Sequence, residues 1–220
     1  MLTTLEEQNP VNVQLAPRRG RPKKQPNDSL DTRESLIRAG MVVLTESGFT
    51  RSGIETILRS VGVPKGSFYH YFASKEAFGI AVLMRYRQYF EAKLDRFLLD
   101  EAYPPLERLQ RFAQETQESI VRHNFKRGCL IGNLEQESTL LPTAFREHLQ
   151  DTYQSWQNRV ADCLVEAQRQ GDIPTQENVT ELAQAFWMGW EGAVHRARLV
   201  QDIQPLRVFI EFFIHAMTSK

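Results

Sequence analysis

Apolar positions recur along the chain in steps of three and four, so the pattern predicts helices throughout and no strand. The clearest stretch runs from Ser52 to Lys75. Ile54, Ile57, Leu58 and Val61 stand at i, i+3, i+4 and i+7, one face of a short helix whose start Ser52 and Glu55 mark with capping-box spacing. Gly62 supplies a tight turn, and Pro64 suits the first turn of a second short helix, where its missing N–H has no intrahelical partner. In that helix Phe68 and Phe72 face inward, while Gly66, Ser67 and His70 face outward with Lys65 and Tyr69 on the flanks.

The same period predicts a first helix from Asp31 to about Ser47, opened by Asp31 and Glu34 in capping-box spacing and burying Leu36, Gly40, Val43 and Leu44. Ser74 caps a long fourth helix, and Pro104 and Pro105 open a fifth to about His123. Pro142 begins a long helix that Gly171 and Pro174 stop, and the last two span about 177–200 and 205–217. Between them, in FKRGCLIGNLEQES, Gly128 and Gly132 bracket a short apolar segment. The expected fold is all-α, with a flexible basic arm at 1–30, a three-helix DNA-binding domain at 31–75 and a helical ligand-binding and dimerisation domain at 76–220.

Two short helices joined by a glycine turn form a helix-turn-helix, whose second helix can enter the major groove of DNA. The words GVPKGSFYHYFASKEAF resemble the recognition helix and following helix start of TetR-type bacterial regulators, densely over residues 51–78, with Pro64, Ser67 and Phe68 as departures. The resemblance implies an operator-binding dimer, most simply a repressor, released when a small-molecule inducer occupies the C-terminal domain. The candidate DNA contacts are Lys65, Gly66, Ser67, Tyr69, His70 and Lys75. Gly66 lets the backbone approach, the hydroxyls of Ser67 and Tyr69 can donate, and the two lysines can meet phosphates. Tyr69 and His70 can equally pack on neighbouring helices, and the lysines can simply be solvated.

Charge sharpens this picture. The formal net charge is zero, yet residues 1–80 carry eleven Lys and Arg against eight Asp and Glu, and residues 81–220 sixteen against nineteen. In PRRGRPKK, Arg18, Arg19, Arg21, Lys23 and Lys24 concentrate five cations, and RGRP resembles hook peptides that lie in the A·T-rich minor groove. The arm either contacts the groove and phosphates or merely solvates.

The C-terminal part offers less specific signals. Trp187, Trp190, Tyr86, Phe112 and Phe186 are either core or the wall of a ligand cavity, to which Arg122, Asn133 and Glu191 can add polar groups. Cys129 follows Lys126 and Arg127, whose charge would favour thiolate, so it is a candidate sensor of unsaturated or electrophilic inducers; Leu130 and Ile131 argue instead for a buried packing residue. Segments of the form GC-L-x-GN are also similar to those of TetR-type regulators that answer to reactive small molecules. In the penultimate helix Ala185, Gly189 and Gly192 form a small stripe, and the last helix is apolar on two sides, with Val208 and Phe212 opposite Leu206, Ile210 and Phe213, which implies a second chain.

Several classes are set aside. Two cysteines without ligand spacing predict neither disulfide framework nor metal site, and no cofactor fingerprint or catalytic motif occurs. Glu135 and Glu137 read as a solvated face rather than a carboxylate pair. The missing motifs predict that the protein is not an enzyme, and no run of eighteen apolar residues and no charged-then-apolar start occurs, which predicts a soluble, cytoplasmic protein with no membrane partner. The alternative function is a ligand-independent architectural DNA-binding protein.

Overall fold

The computed structural model describes residues 26–218, with side chains from residue 31, and these form nine helices and no strand. They are α1 (Pro26–Ser47), α2 (Ile54–Ser60), α3 (Lys65–Phe68), α4 (Lys75–Leu98), α5 (Pro105–Arg122), α6 (Leu130–Gln136), α7 (Thr143–Gln170), α8 (Val179–Val200) and α9 (Gln204–Thr218). Residues 26–30 are already helical, so α1 reaches into the stretch expected to be arm. Asp31 is therefore interior rather than a cap, and Glu34 pairs with Arg38 and with Arg85 of α4, both at 3.1 Å.

The second expected capping box also fails. Ser52 turns its hydroxyl back to the Gly48 carbonyl, and Gly53 becomes the N-cap of α2 with no side-chain bond. Ser74 does cap α4, accepting the Ala77 N–H at 3.0 Å. The reading helix α3 is only one turn, continued by hydrogen-bonded turns that seat Phe72 beside Phe68.

Helix α4 is the spine. It packs on α1, α5, α6 and α7, and its buried stripe Phe78, Val82, Tyr86, Phe90 and Leu94 runs from the helix-turn-helix into the C-terminal bundle. There the core is aromatic: Phe90 lies 4.3 Å from Trp156, Trp156 4.8 Å from Trp187, and Phe186 stacks on Trp190. Arg108, almost fully buried, pins the start of α5, bonding Glu166 of α7 at 2.8 Å and the carbonyls of Tyr103 and Leu98. Glu166 is 36% exposed, so water screens the ion pair itself, and Arg108 holds chiefly by its bonds to the two carbonyls.

At the other end α1 crosses α4 at Gly40. An added Cβ there would stand 2.5 Å from Phe78 Cζ and 2.7 Å from Val82 Cγ2. Gly40→Ala is expected to cost roughly 1–3 kcal/mol through overpacking, read as a lower urea midpoint. An unchanged midpoint would mean that α1 is seated loosely on α4.

Candidate functional site

Two surfaces carry the chemistry. The first is the outer side of α3, where Lys65, Gly66, Tyr69 and His70 are exposed and Ser67 is half-buried. Phe68 and Phe72, packed on Phe78 at 5.5 and 4.9 Å, hold that side outward. Lys65 pairs with Glu55 across the glycine turn at 2.7 Å, which raises its pKa, and both groups stand in water. Lys75 is set differently. Its ammonium lies 4.5 Å from the Phe49 ring centre and 3.5 Å from the Thr50 carbonyl, and burial lowers its pKa, so it closes α4 onto the α1–α2 elbow rather than standing free. Arg18, Arg19 and Arg21 lie outside the described residues.

The second is a cavity of about 270 Å³. One wall is α1, with Arg38, Met41, Val42 and Thr45; the others are α4, α5, the segment leading into α6, and α8. Tyr86, Cys129, Trp190 and Glu191 all line it. The remaining candidates do not. Trp187 belongs to the aromatic stack and to a neighbouring groove; Arg122 is exposed, bonded to Glu115 at 3.4 Å and beside a different groove with Ile203 and Arg207. Asn133 donates to the Thr45 carbonyl at 2.6 Å and accepts from Arg198 at 3.0 Å, which ties α6 to α1 and α8.

Sequence reasoning missed Tyr89, Phe90 and Lys93, although the signal was present: with Tyr86 they stand at i, i+3, i+4 and i+7, one stripe of α4. Lys93 is half-buried without an ion pair or hydrogen bond among the described residues, and burial lowers its pKa to about 8.

Cys129 is 5% exposed and is the N-cap of α6. Lys126 is exposed and Arg127 is bound to Glu46 at 3.0 Å, so neither supports a thiolate. Burial and the facing Glu191 push the thiol pKa well up, so of the two readings left open by the sequence the structure favours the buried packing residue over the thiolate. Cys163 is likewise buried, its pKa raised to about 12 by burial. Glu191 itself is 6% exposed; burial raises its pKa to about 7, against a weak hydrogen bond from the Cys129 thiol that lowers it, and Glu135 adds to the rise. The groups facing it are Tyr86 from α4, Cys129 and Glu135 from the α6 segment, Tyr153 from α7 and His195 one turn along α8.

The segment FKRGCLIGNLEQES thus contains a helix that the glycine spacing concealed. Gly132 sits inside α6, where its missing side chain leaves room for the Glu191 carboxylate. Of the two following glutamates, Glu135 is exposed as expected, whereas Glu137 is half-buried and bonded. Glu135 accepts the Tyr153 hydroxyl at 2.7 Å, and Glu137 accepts the backbone N–H groups of Phe49 and Thr50 at 3.1 and 2.7 Å and the Thr50 hydroxyl at 2.7 Å.

Comparison with known proteins agrees with this architecture. Residues 36–82 match the bacterial regulatory proteins, tetR family, and residues 105–213 match the tetracyclin repressor-like C-terminal domain. The chain is 46% identical over 204 residues to the transcriptional regulator AcuR of Cereibacter sphaeroides, covering 93% of each. To the HTH-type transcriptional repressor DhaR of Mycobacterium sp. (strain GP1) it is 31% identical over 185 residues, covering 84% of this chain and 91% of that one. The crystal structure of regulatory protein TetR from Rhodobacter sphaeroides superposes with a TM-score of 0.81 at 45% identity, covering 83% of this chain and 96% of that one.

Glu191 makes a pH prediction. Its folded pKa of about 7 lies above the ordinary 4.5, so the native state holds the proton more tightly than the unfolded chain and stability is lost as pH rises through that window. Glu191→Gln removes the titration. Relative to the variant, the wild type is expected to lose on the order of 2–3 kcal/mol of unfolding free energy between roughly pH 4.5 and 7, with a constant gap above. A gap independent of pH would show the carboxyl to be solvated.

Proposed function

Because the chain belongs to the TetR family of bacterial transcriptional regulators, we propose that it is a dimeric cytoplasmic repressor that leaves its operator when a small molecule enters the cavity beside Tyr86, Cys129, Trp190 and Glu191. The observation that carries this reading is that the cavity is shared: α1 of the DNA-reading end forms one wall and the C-terminal bundle the rest. A ligand there touches both ends at once, and it lies at the N-cap of α6, whose other end holds the elbow through Glu137. Binding that favours one seating of α1 and α6 over another shifts the population toward a wrong spacing of the two α3 helices for successive major grooves.

Repression rather than activation is supported by the relative DhaR, named as a repressor. A second copy suits the exposed Leu199, Val200, Val208 and Phe212 of α8 and α9. Gly189 is not part of that face, since it receives the Phe209 ring within the chain. Tyr69, His70, Lys65, Gly66 and Ser67 would read the groove, with the arm at 18–21 on the flanks. The inducer, unsaturated or not, is read as binding without a new covalent bond, since Cys129 is only 5% exposed at the N-cap of α6.

The test is an operator gel-shift on the DNA flanking its own gene, with a panel of small molecules that includes unsaturated and electrophilic ones. Tyr69→Ala is expected to weaken binding about tenfold or more, roughly 1–3 kcal/mol for one lost groove contact, with helicity unchanged. Glu137→Ala should still bind operator but respond less to inducer, and Cys129→Ser should respond as the wild type does. DNA affinity that no small molecule alters would favour the architectural reading, and a serine variant that has lost its response would make the inducer covalent.

A further inference from the structure

Behind the cavity, on the far side of Glu191, a groove of about 510 Å³ opens between α6, α7 and α8. Its lining differs in charge from the cavity's. The cavity has Arg38, Lys93 and Arg127 in its walls, whereas the groove has no lysine or arginine. Instead it carries two carboxylates, Glu135 and Glu191, the rings of Trp187 and Tyr153, and several glutamine amides.

Three of its groups have unused hydrogen-bonding capacity. The Nε2 of His195 and the indole N–H of Trp187 are buried without a partner, and the Glu191 carboxylate has only the weak donor of the Cys129 thiol beside it. His195 is an acceptor there: its Nδ1 faces the Glu191 backbone carbonyl at 2.8 Å and must carry the hydrogen, and burial lowers its pKa, which keeps the ring neutral. A buried carboxylate and a buried imidazole lone pair are costly to leave unmet. A donor-rich cation meets both and finds an aromatic face beside them.

The geometry points to a second binding site in this groove for a small organic ammonium ion, its N–H groups donating to Glu191 and His195, with Glu135 adding negative charge and the half-buried Tyr153 ring an aromatic wall. The inference goes beyond the inducer reading and does not depend on it. Met188 and Gly192 edge the groove on the exposed side of α8, so a second copy covering that side would deepen it.

The experiment is calorimetric titration of the full-length protein with benzylammonium, with benzyl alcohol as the neutral isostere. One saturable site per chain is expected at pH 8. Affinity should fall about tenfold at pH 6, because a carboxyl with a pKa of about 7 is by then mostly protonated and offers no charge to the cation. Benzyl alcohol should bind at least tenfold more weakly. Gln150→Lys, at an exposed position of the groove wall, should abolish binding while leaving helicity intact, and Glu135→Gln should weaken it severalfold. The inference is overturned if benzylammonium does not saturate, if the alcohol binds as tightly, if affinity is the same at both pH values, or if Gln150→Lys binds normally. None of these measurements involves operator or inducer, so the repressor reading stands or falls separately.

Discussion

One carboxylate joins the two halves of the molecule. Glu137 leaves the C-terminal end of α6 and accepts three hydrogen bonds from Phe49 and Thr50, at the elbow where α1 gives way to the helix-turn-helix. Bonds to a charged acceptor are each worth roughly 1.5–3 kcal/mol net, more than ordinary backbone bonds. The elbow's glycine is part of the same constraint. Gly48 has a left-handed φ of 76°, and any side chain there would run into the Glu137 carboxylate. Asn133 and Arg198 brace the same helix from its other side, bonding the Thr45 and Glu46 carbonyls of α1. The orientation of α3 toward DNA therefore rests on where α6 sits.

That helix begins at the cavity. Cys129 caps it, Tyr86 and Glu191 face the cap, and Gly132 allows α8 to press its carboxylate close. Polar groups are concentrated at this crossing in an otherwise apolar core, and they are not fully satisfied. A fold selected only for stability would fill such a place with hydrocarbon. On the proposed reading, unmet hydrogen-bonding capacity beside a cavity would let a small ligand choose between two seatings of a helix, its bonds made in one and lost in the other.

Much of this was legible in the sequence. The 3.6-residue period located α2, α4, α5, α7, α8 and α9, and Phe68 and Phe72 fixed which side of α3 faces out. Four cavity residues, Tyr86, Cys129, Trp190 and Glu191, could be chosen by residue type and helix face. What was illegible depends on long-range contact. Seven-residue α6 is too short for a period to emerge, and two glycines that suggested a loop permit close helix crossing instead. Glu137 looks solvated until Thr50, far away in sequence, is brought to it. Charge proximity along the chain left Cys129 open between thiolate and packing residue, because it cannot show that Arg127 turns away to Glu46 while Glu191 arrives from another helix. Capping boxes at Asp31 and Ser52 failed for a similar reason: spacing permits the motif, but an earlier helix start and a competing carbonyl decided otherwise.

The aromatic stack has an optical consequence. All three tryptophans of the chain, Trp156, Trp187 and Trp190, are buried in the C-terminal bundle; Trp190 borders the cavity and Trp187 the groove, while the helix-turn-helix carries only phenylalanine and tyrosine. Excited at the red edge of indole absorption, the protein is dark at its DNA-reading end and luminous only around the two recesses. A change in emission on adding duplex alone would thus come from indoles that the duplex does not touch, and its amplitude would measure how far the operator's grip is felt through α4 and α6.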